Sequence, residues 1–523
     1  MSQTIDRKTF AIVSHPDAGK TTITEKLLLF GGAIQMAGTV KAKKSKKFAT
    51  SDWMEIEKQR GISVTSSVMK FHYKNTDINL LDTPGHDDFS EDTYRVLTAV
   101  DSVLMIIDGV KGVEAQTIKL LQVCKSRNMP IMTFVNKFDR DTREPLDLID
   151  EIEKTLGIRC APITWPVGSG KNFKGVYDIE QNGMRVFAPG THDDSDSLMK
   201  MDVTSPDLEK LIGTVFFEEL RDSLELLNEA GTQFDHDEFM AGSVTPVFFG
   251  SALNNFGVRE FLHKFLACAP SPLPKTAKER IVDPVEEKMT GFVFKIQANM
   301  DPNHRDRIAF MRICSGRYYN SMKLYHCRLD KEIRSSNSVV FMAKERENTD
   351  EAFAGDIIGL RDTGLLKIAD TLTEGEVLNF TGIPSFSPEI FCRIRLANPL
   401  KNKQLDKGLV QLTEEGTAQL FYLKTGTLPI VGAVGALQFE VMKFRLLNEY
   451  GVEGIFESVP FRLARWYGSE NQTELDGFET KYVDRIATDK TEQTVFLATS
   501  DWELEFAMKK FPAVKFYSNS DLV

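Results

Sequence analysis

Cysteine is scarce and scattered. The 523 residues hold six, Cys124, Cys160, Cys268, Cys314, Cys327 and Cys392, and no two form a C-x-x-C pair. A disulfide framework and a zinc site are therefore not expected, and a reducing compartment fits best. Long apolar runs are missing as well. None approaches the ~18 residues of a membrane span, and the N-terminus has no apolar stretch behind a basic start. A cytoplasmic protein with no membrane partner is expected. Positive charge is in deficit: 64 Lys and Arg stand against 75 Asp and Glu, a formal charge of −11. Such a chain is ill suited to hold DNA or naked nucleic acid through net charge, although a local basic face can still do so. No internal repeat or long low-complexity tract is present. What remains is a globular composition, 42% hydrophobic and 27% charged, on a chain long enough for three or four domains.

The first part alternates short apolar runs with helical patterns. "TFAIVS", "INLLDT", "SVLMIIDG", "PIMTFVN" and "TPVFFGS" read as buried strands, and stretches such as "AQTIKLLQVCKSRN" read as the helices between them. This alternation predicts right-handed βαβ units and a mostly parallel sheet, which places ligands at the carboxyl ends of its strands. The span from Asp139 to Gly250 is much longer than one crossover needs, so a subdomain is expected at about 160–245. Its "KNFKGVYDIEQNGMRVF" reads as a hairpin and "DLEKLIGTVFFEELRDSLELLN" as helix. "APSPLPKT" has three prolines in eight residues and marks a stiff boundary. The expected division is a nucleotide-type α/β domain over 1–276, an antiparallel β-barrel over 277–385 and an α+β domain over 386–523. In the last, "QLTEEGTAQLFYLK" and "ALQFEVMKFRLLNEYG" are expected as helices, the second with Leu437, Val441, Phe444 and Leu447 on one face.

Four short motifs carry the chemistry. "SHPDAGKTT" follows the first strand and opens a helix. Backbone N–H groups of His15, Pro16's neighbours Asp17 and Ala18, and Gly19 through Thr22 can curl around phosphates there, with the helix N-terminus adding positive potential. Lys20 reaches the β- and γ-phosphates, and the Thr21 hydroxyl suits Mg²⁺. "INLLDTPGH" delivers Asp82 as a further Mg²⁺ ligand through water, Gly85 toward a γ-phosphate, and His86 where it can orient an attacking water. "TFVNKFD" supplies Asn136, Lys137 and Asp139. The Asp139 carboxylate can accept from guanine N1–H and N2–H₂, and adenine would leave it unpaired. "FFGSAL" brings Ser251, Ala252 and Leu253, with the Ala252 amide set for guanine O6. A lone phosphate loop is a modest signal, but four pieces in order, each ending a strand, identify a guanine-nucleotide site that takes GTP or GDP with Mg²⁺.

With "KQRGISVTSS" between the first two pieces, these motifs resemble the guanine-nucleotide motifs of translational GTPases, where the histidine after D-T-P-G is typical. "NKFDRD", "FKIQANMDPNHRDRIAFMR" and "VGAVGALQFEVMKFRLLNEYGVE" further resemble the bacterial class-II peptide chain release factors, over essentially the whole chain. The resemblance implies a P-loop GTPase domain, a β-barrel domain and an α+β C-terminal domain. It also implies ribosome-stimulated GTP hydrolysis, with His86 positioned by the sarcin-ricin loop of large-subunit RNA. Class-I release factors are the implied partners in termination, and a monomer is expected off the ribosome. Ser63 stands where the family's switch threonine holds Mg²⁺. Pro16 and Ile62 stand where a hydrophobic gate covers the attacking water.

Several other features each admit two readings. Arg60 reads as a loop anchor or a finger in cis, and Asp17 as a brace of the turn or a monovalent-cation ligand. The lysine run 41–47 reads as a solvated loop or a contact for ribosomal RNA phosphates. "HDDSDS" lacks calcium-loop spacing. His304 sits in an Arg-rich loop. A ribosome-protection or elongation-like GTPase is not expected, since it needs a far-reaching decoding-site domain for which this length leaves no residues, and a nucleotide-locked scaffold would not need Lys20, Thr21, Asp82 and His86 together.

Overall fold

The computed structural model describes residues 5–33, 57, 63–186, 198–298, 307–335, 338–342, 345–384 and 386–518. The lysine run 41–47, Arg60, Ile62, the acidic stretch 192–197 and His304 lie outside the described residues.

The first strands are β1 (Asp6–Ser14), β2 (Ser67–Tyr73), β3 (Thr76–Asp82), β4 (Ser102–Asp108) and β5 (Ile131–Asn136). In the sheet, β1 lies between β3 and β4 with parallel pairing on both sides, and β2 closes one edge antiparallel to β3. The strand Val244–Phe249 sits beyond β5, parallel to it and to Arg159–Pro162 at the other edge. Residues 8–14 of β1 and all of β4 and β5 are buried, because helices cover both faces. That double burial explains why these runs are continuously apolar rather than alternating. The register pairs Ile12 with Asp82 and Asp108 with Asn136, so the polar ends of the strands converge on one rim of the sheet.

Between Arg159–Pro162 and Val244–Phe249 the chain builds a four-stranded antiparallel sheet from Thr164–Val167, Gly175–Asp178, Gly183–Val186 and Met199–Lys200. The expected hairpin is its central pair. The expected helix over 207–228 is two helices, Pro206–Ile212 and Thr214–Ala230, broken at Gly213 with φ 90°. That conformation is one a side chain resists and glycine accepts.

An eight-stranded antiparallel sheet follows. It runs without a break in its hydrogen bonding from Lys331–Arg334 to Glu345–Asn348, with Thr290–Ala298 and Arg307–Ser315 at its centre. A second eight-stranded antiparallel sheet in the C-terminal part carries the helices Asn402–Glu414, Ala436–Tyr450, Gln472–Lys481 and Asp501–Lys510. Two expectations fail here. "QLTEEGTAQLFYLK" is not one helix: it ends at Glu414, turns at Gly416 with φ 82°, and Gln419–Leu423 is a strand inside the sheet. The buried side of Ala436–Tyr450 is also not the one expected. Phe439, Met442 and Leu446 enter the core, whereas Leu447 is 53% exposed. Packing against Leu405, Leu409 and Leu412 of the neighbouring helix decides the face, and the apolar stripe alone does not reveal it.

Buried ion pairs tie the first part to the second. Asp356 accepts from Arg7 Nε at 3.0 Å and from Lys70 Nζ at 2.9 Å. Burial opposes its charge, but Lys70 and Arg7 outweigh that and hold its carboxyl below the usual carboxylate range. Arg312 Nη2 donates to Asp101 at 2.5 Å, and Lys295 Nζ to Asp92 at 3.1 Å. Beside Asp92, burial pushes the Glu91 carboxyl up to about 8 despite Arg95. The folded chain therefore keeps a proton on Glu91 that the unfolded chain gives up from about pH 4.3. Stability from this group falls as pH rises through that window. Glu91→Gln is expected to remove the fall, so its melting temperature should exceed that of the parent at pH 8.5 and match it at pH 5. Equal slopes of melting temperature against pH in both proteins would contradict this.

Candidate nucleotide site

The rim where the strands end opens into a cleft of about 570 Å³, lined by residues 14–17 and 19–22, Ser63, Gly85, His86, Asp108, Asn136, Lys137, Asp139, Arg140 and Leu253 among others. The first loop leaves β1 and enters the helix Lys20–Phe30, which Gly19 caps. Asp17 and Gly19 take left-handed φ values of 66° and 99°. Left-handed residues in such a loop turn successive amides to one side, which is the geometry of an anion cradle. Gly19 has a second constraint: a Cβ there would lie 2.2 Å from Asn136 Nδ2.

Lys20 Nζ sits 2.7 Å from Asp82 Oδ1, with both side chains buried. The other Asp82 oxygen, Oδ2, is buried and accepts no hydrogen bond from the described residues. A desolvated carboxylate oxygen of this kind wants a cation or a metal-bound water. Thr21 and Ser63 line the same cleft. The donor set is thus two hydroxyls and a carboxylate, all oxygen, which suits Mg²⁺.

At the other end of the cleft, Asn136 joins two loops. Its Nδ2 donates to Ala18 O at 2.9 Å, and its Oδ1 accepts from the Ala252 amide at 2.9 Å. Ser251 Oγ donates to Asp139 Oδ1 at 2.7 Å, which orients that carboxylate. The Lys137 ammonium is held on Asp108 Oδ2 at 2.6 Å. Burial works against the charge of Asp108, but Lys137 and the amides of Val110 and Lys111 hold its carboxyl below the usual range. Asp108 was not singled out from the sequence. Its position as the last residue of "SVLMIID", a strand ending on this rim, was the available signal.

His86 caps the 3₁₀ turn Asp87–Phe89, its Nδ1 accepting from the Asp88 amide at 3.2 Å. With Nδ1 occupied as an acceptor, the neutral ring carries its hydrogen on Nε2. Gly85 lies against the phosphate loop: a Cβ there would be 3.2 Å from Pro16 N and 3.3 Å from its Cα. Pro16 therefore meets the D-T-P-G-H segment directly. The His15 ring is engaged by Glu114, Nε2 to Oε1 at 3.1 Å, which leaves its backbone for the loop. The structure thus gathers the sequence-predicted residues of all four motifs, and Ser63, around one cleft.

Residues 6–271 match the family model described as the elongation factor Tu GTP-binding domain. Residues 288–375 match elongation factor G domain 2, and 380–508 match the C-terminal domain of class II release factor RF3. The chain belongs to the translational GTPases of the class II release factor RF3 type. Among solved structures, one from Thermus thermophilus superposes with a TM-score of 0.71 at 24% identity, covering 89% of this chain and 70% of that one. This likeness shows the multidomain fold. As a member of the RF3-type family the chain binds GTP and GDP, hydrolyses GTP and works with the ribosome. No helix among the described residues is long and apolar enough to cross a membrane.

Proposed function

We propose that this GTPase acts in translation termination: after stop-codon-directed peptide release, its GTP form promotes departure of the class-I release factor, and hydrolysis frees it from the ribosome. The observation that carries this reading is the RF3-type C-terminal domain joined to a complete guanine site. The amides of His15 and of Asp17 to Thr22, with the Lys20 ammonium, bind the phosphates. Thr21, Ser63 and Asp82 would hold Mg²⁺, which when bound supplies positive charge to the phosphate oxygens. His86, set against the sarcin-ricin loop, orients the water that attacks the γ-phosphorus. The bond from that phosphorus to the bridging oxygen then breaks, leaving GDP and phosphate. Asp139, held by Ser251, accepts from guanine, and the Ala252 amide, held by Asn136, donates to its O6.

The test is release of a labelled class-I factor from post-termination ribosomes with GTP. The chain should accelerate it. Acceleration of tRNA translocation instead would mean an elongation-type function. Asp139→Asn probes the base site separately. A hydrogen bond to a charged group contributes about 1.5–3 kcal/mol, so GDP affinity should fall roughly 10–100-fold and xanthosine diphosphate should become the better ligand. Retained guanine preference would remove Asp139 from this role.

A further inference from the structure

The helix Asp501–Lys510 presents an aromatic pair to solvent. Trp502 is 70% exposed and Phe506 42%. Their rings stack 5.4 Å apart at 18°, nearly parallel. Most rings buried in this part of the chain meet differently, Phe478 packing edge-on against Tyr467, Phe496 and Phe511. Trp502 and Phe506 are one helical turn apart, and Lys510 follows after another. Lys481, at the end of the adjoining helix, places its ammonium 4.6 Å from the Phe506 centroid. The Lys510 ammonium approaches Lys481 closely enough to hold the Lys481 pKa below its ordinary value. Of the carboxylates on this helix, Glu503 is engaged elsewhere, at 2.6 Å from Arg485 Nη1, while Asp501 and Glu505 are exposed beside the aromatic pair. In a chain of net charge −11, two neighbouring ammonium groups beside a flat aromatic pair form a local exception.

We infer that Trp502, Phe506, Lys481 and Lys510 form a docking face for single-stranded RNA. Each half of the face asks for a different part of that ligand. An ammonium pair repels itself until an anion bridges it, and a phosphodiester does so. An exposed indole stacked in parallel on a phenyl ring offers a flat π-surface, and an unpaired base covers such a surface regardless of sequence. An acidic peptide would satisfy the ammonium groups but would leave the indole face bare. A duplex would meet the ammonium groups with its phosphates but keep its bases stacked inside. The setting rests on the ribosome-linked reading above, where loops of ribosomal RNA supply unpaired bases. The RNA contact itself is independent of which termination step the chain performs.

The test uses the full-length chain and a fluorescein-labelled 12-nucleotide oligouridylate, followed by anisotropy across a salt series. Trp502→Ala and Phe506→Ala should each weaken binding roughly 5–100-fold, as stacking losses do. The double variant K481A/K510A should flatten the slope of log affinity against log salt by roughly 1.4, two phosphates' worth for single strands. Trp502→Phe should retain most of the affinity, and unchanged melting temperatures would show that these exposed substitutions leave the fold intact. GDP affinity should not move. Absence of RNA binding by the parent chain, or equal binding by Trp502→Ala, overturns the inference. So does a rise in the half-saturating ribosome concentration for GTP turnover with no oligouridylate binding, because the face would then dock a protein. If the chain fails to release class-I factors yet Trp502→Ala loses the RNA, the function proposed above falls and this inference stands.

Discussion

His86→Ala is expected to lower ribosome-stimulated GTP turnover by roughly 10²–10⁴-fold, the range typical of a positioned proton-handling side chain, with GDP affinity changed less than twofold. The separation follows from where the residue stands. His86 lines the mouth of the cleft, after the Gly85 that touches Pro16, and forms none of the contacts that hold the base or brace the phosphate loop. Its Nδ1 is fixed by the Asp88 amide, so the ring offers Nε2–H to solvent or to a water. Alanine removes that donor and leaves the loop backbone as it is. His86→Gln keeps a donor at similar reach and should recover part of the loss. Single-turnover phosphate release on ribosomes, with GDP binding measured in parallel, decides the matter. An unchanged rate would assign the attacking water to another group.

The guanine motifs were legible because each is short and ends a strand whose buried run is continuous in the sequence. Asp82, Asn136 and Asp139 announce themselves by type and place. The same local grammar misread two elements in the C-terminal part. Gln419–Leu423 carries no breaker of its own, and only its pairing with Pro429–Ala433 and Ile486–Asp489 makes it a strand. The buried side of Ala436–Tyr450 is chosen by a neighbouring helix, so its own apolar stripe pointed to the wrong face. The residues that lock the parts together were not legible at all. Asp356 meets Arg7 349 positions away, and Asp88 meets Leu437 at the same separation. Isolated carboxylates with distant partners leave no periodicity to read.

That last contact carries the second large effect. The turn Asp87–Phe89 that follows His86 abuts the N-terminus of the helix Ala436–Tyr450. Asp88 Oδ2 accepts from the Leu437 amide at 2.7 Å, where the helix has an unpaired donor and positive potential. Gly435 permits this approach. A Cβ on it would lie 2.1 Å from Asp88 Cγ and 2.5 Å from Oδ2, closer than any real contact. Asp88 is thus joined to the His86 ring through its amide and to the C-terminal domain through its carboxylate, so the orientation of that domain bears on the placement of His86. Gly435→Ala must push the two apart. A displacement of about 1 Å can cost ~10²-fold in rate, so ribosome-stimulated turnover should fall roughly 100-fold while GDP affinity holds, since none of the cleft residues that bind nucleotide moves. Ordinary misfolding would produce the same rate loss, and a double variant separates the two. The three nearest atoms that the new methyl group meets all belong to the Asp88 side chain. In an Asp88→Gly background, Gly435→Ala should therefore cost almost nothing further. Full additivity of the two losses would show that the helix N-terminus and the His86 turn act independently. Strong non-additivity would make their contact the link between the C-terminal domain and hydrolysis.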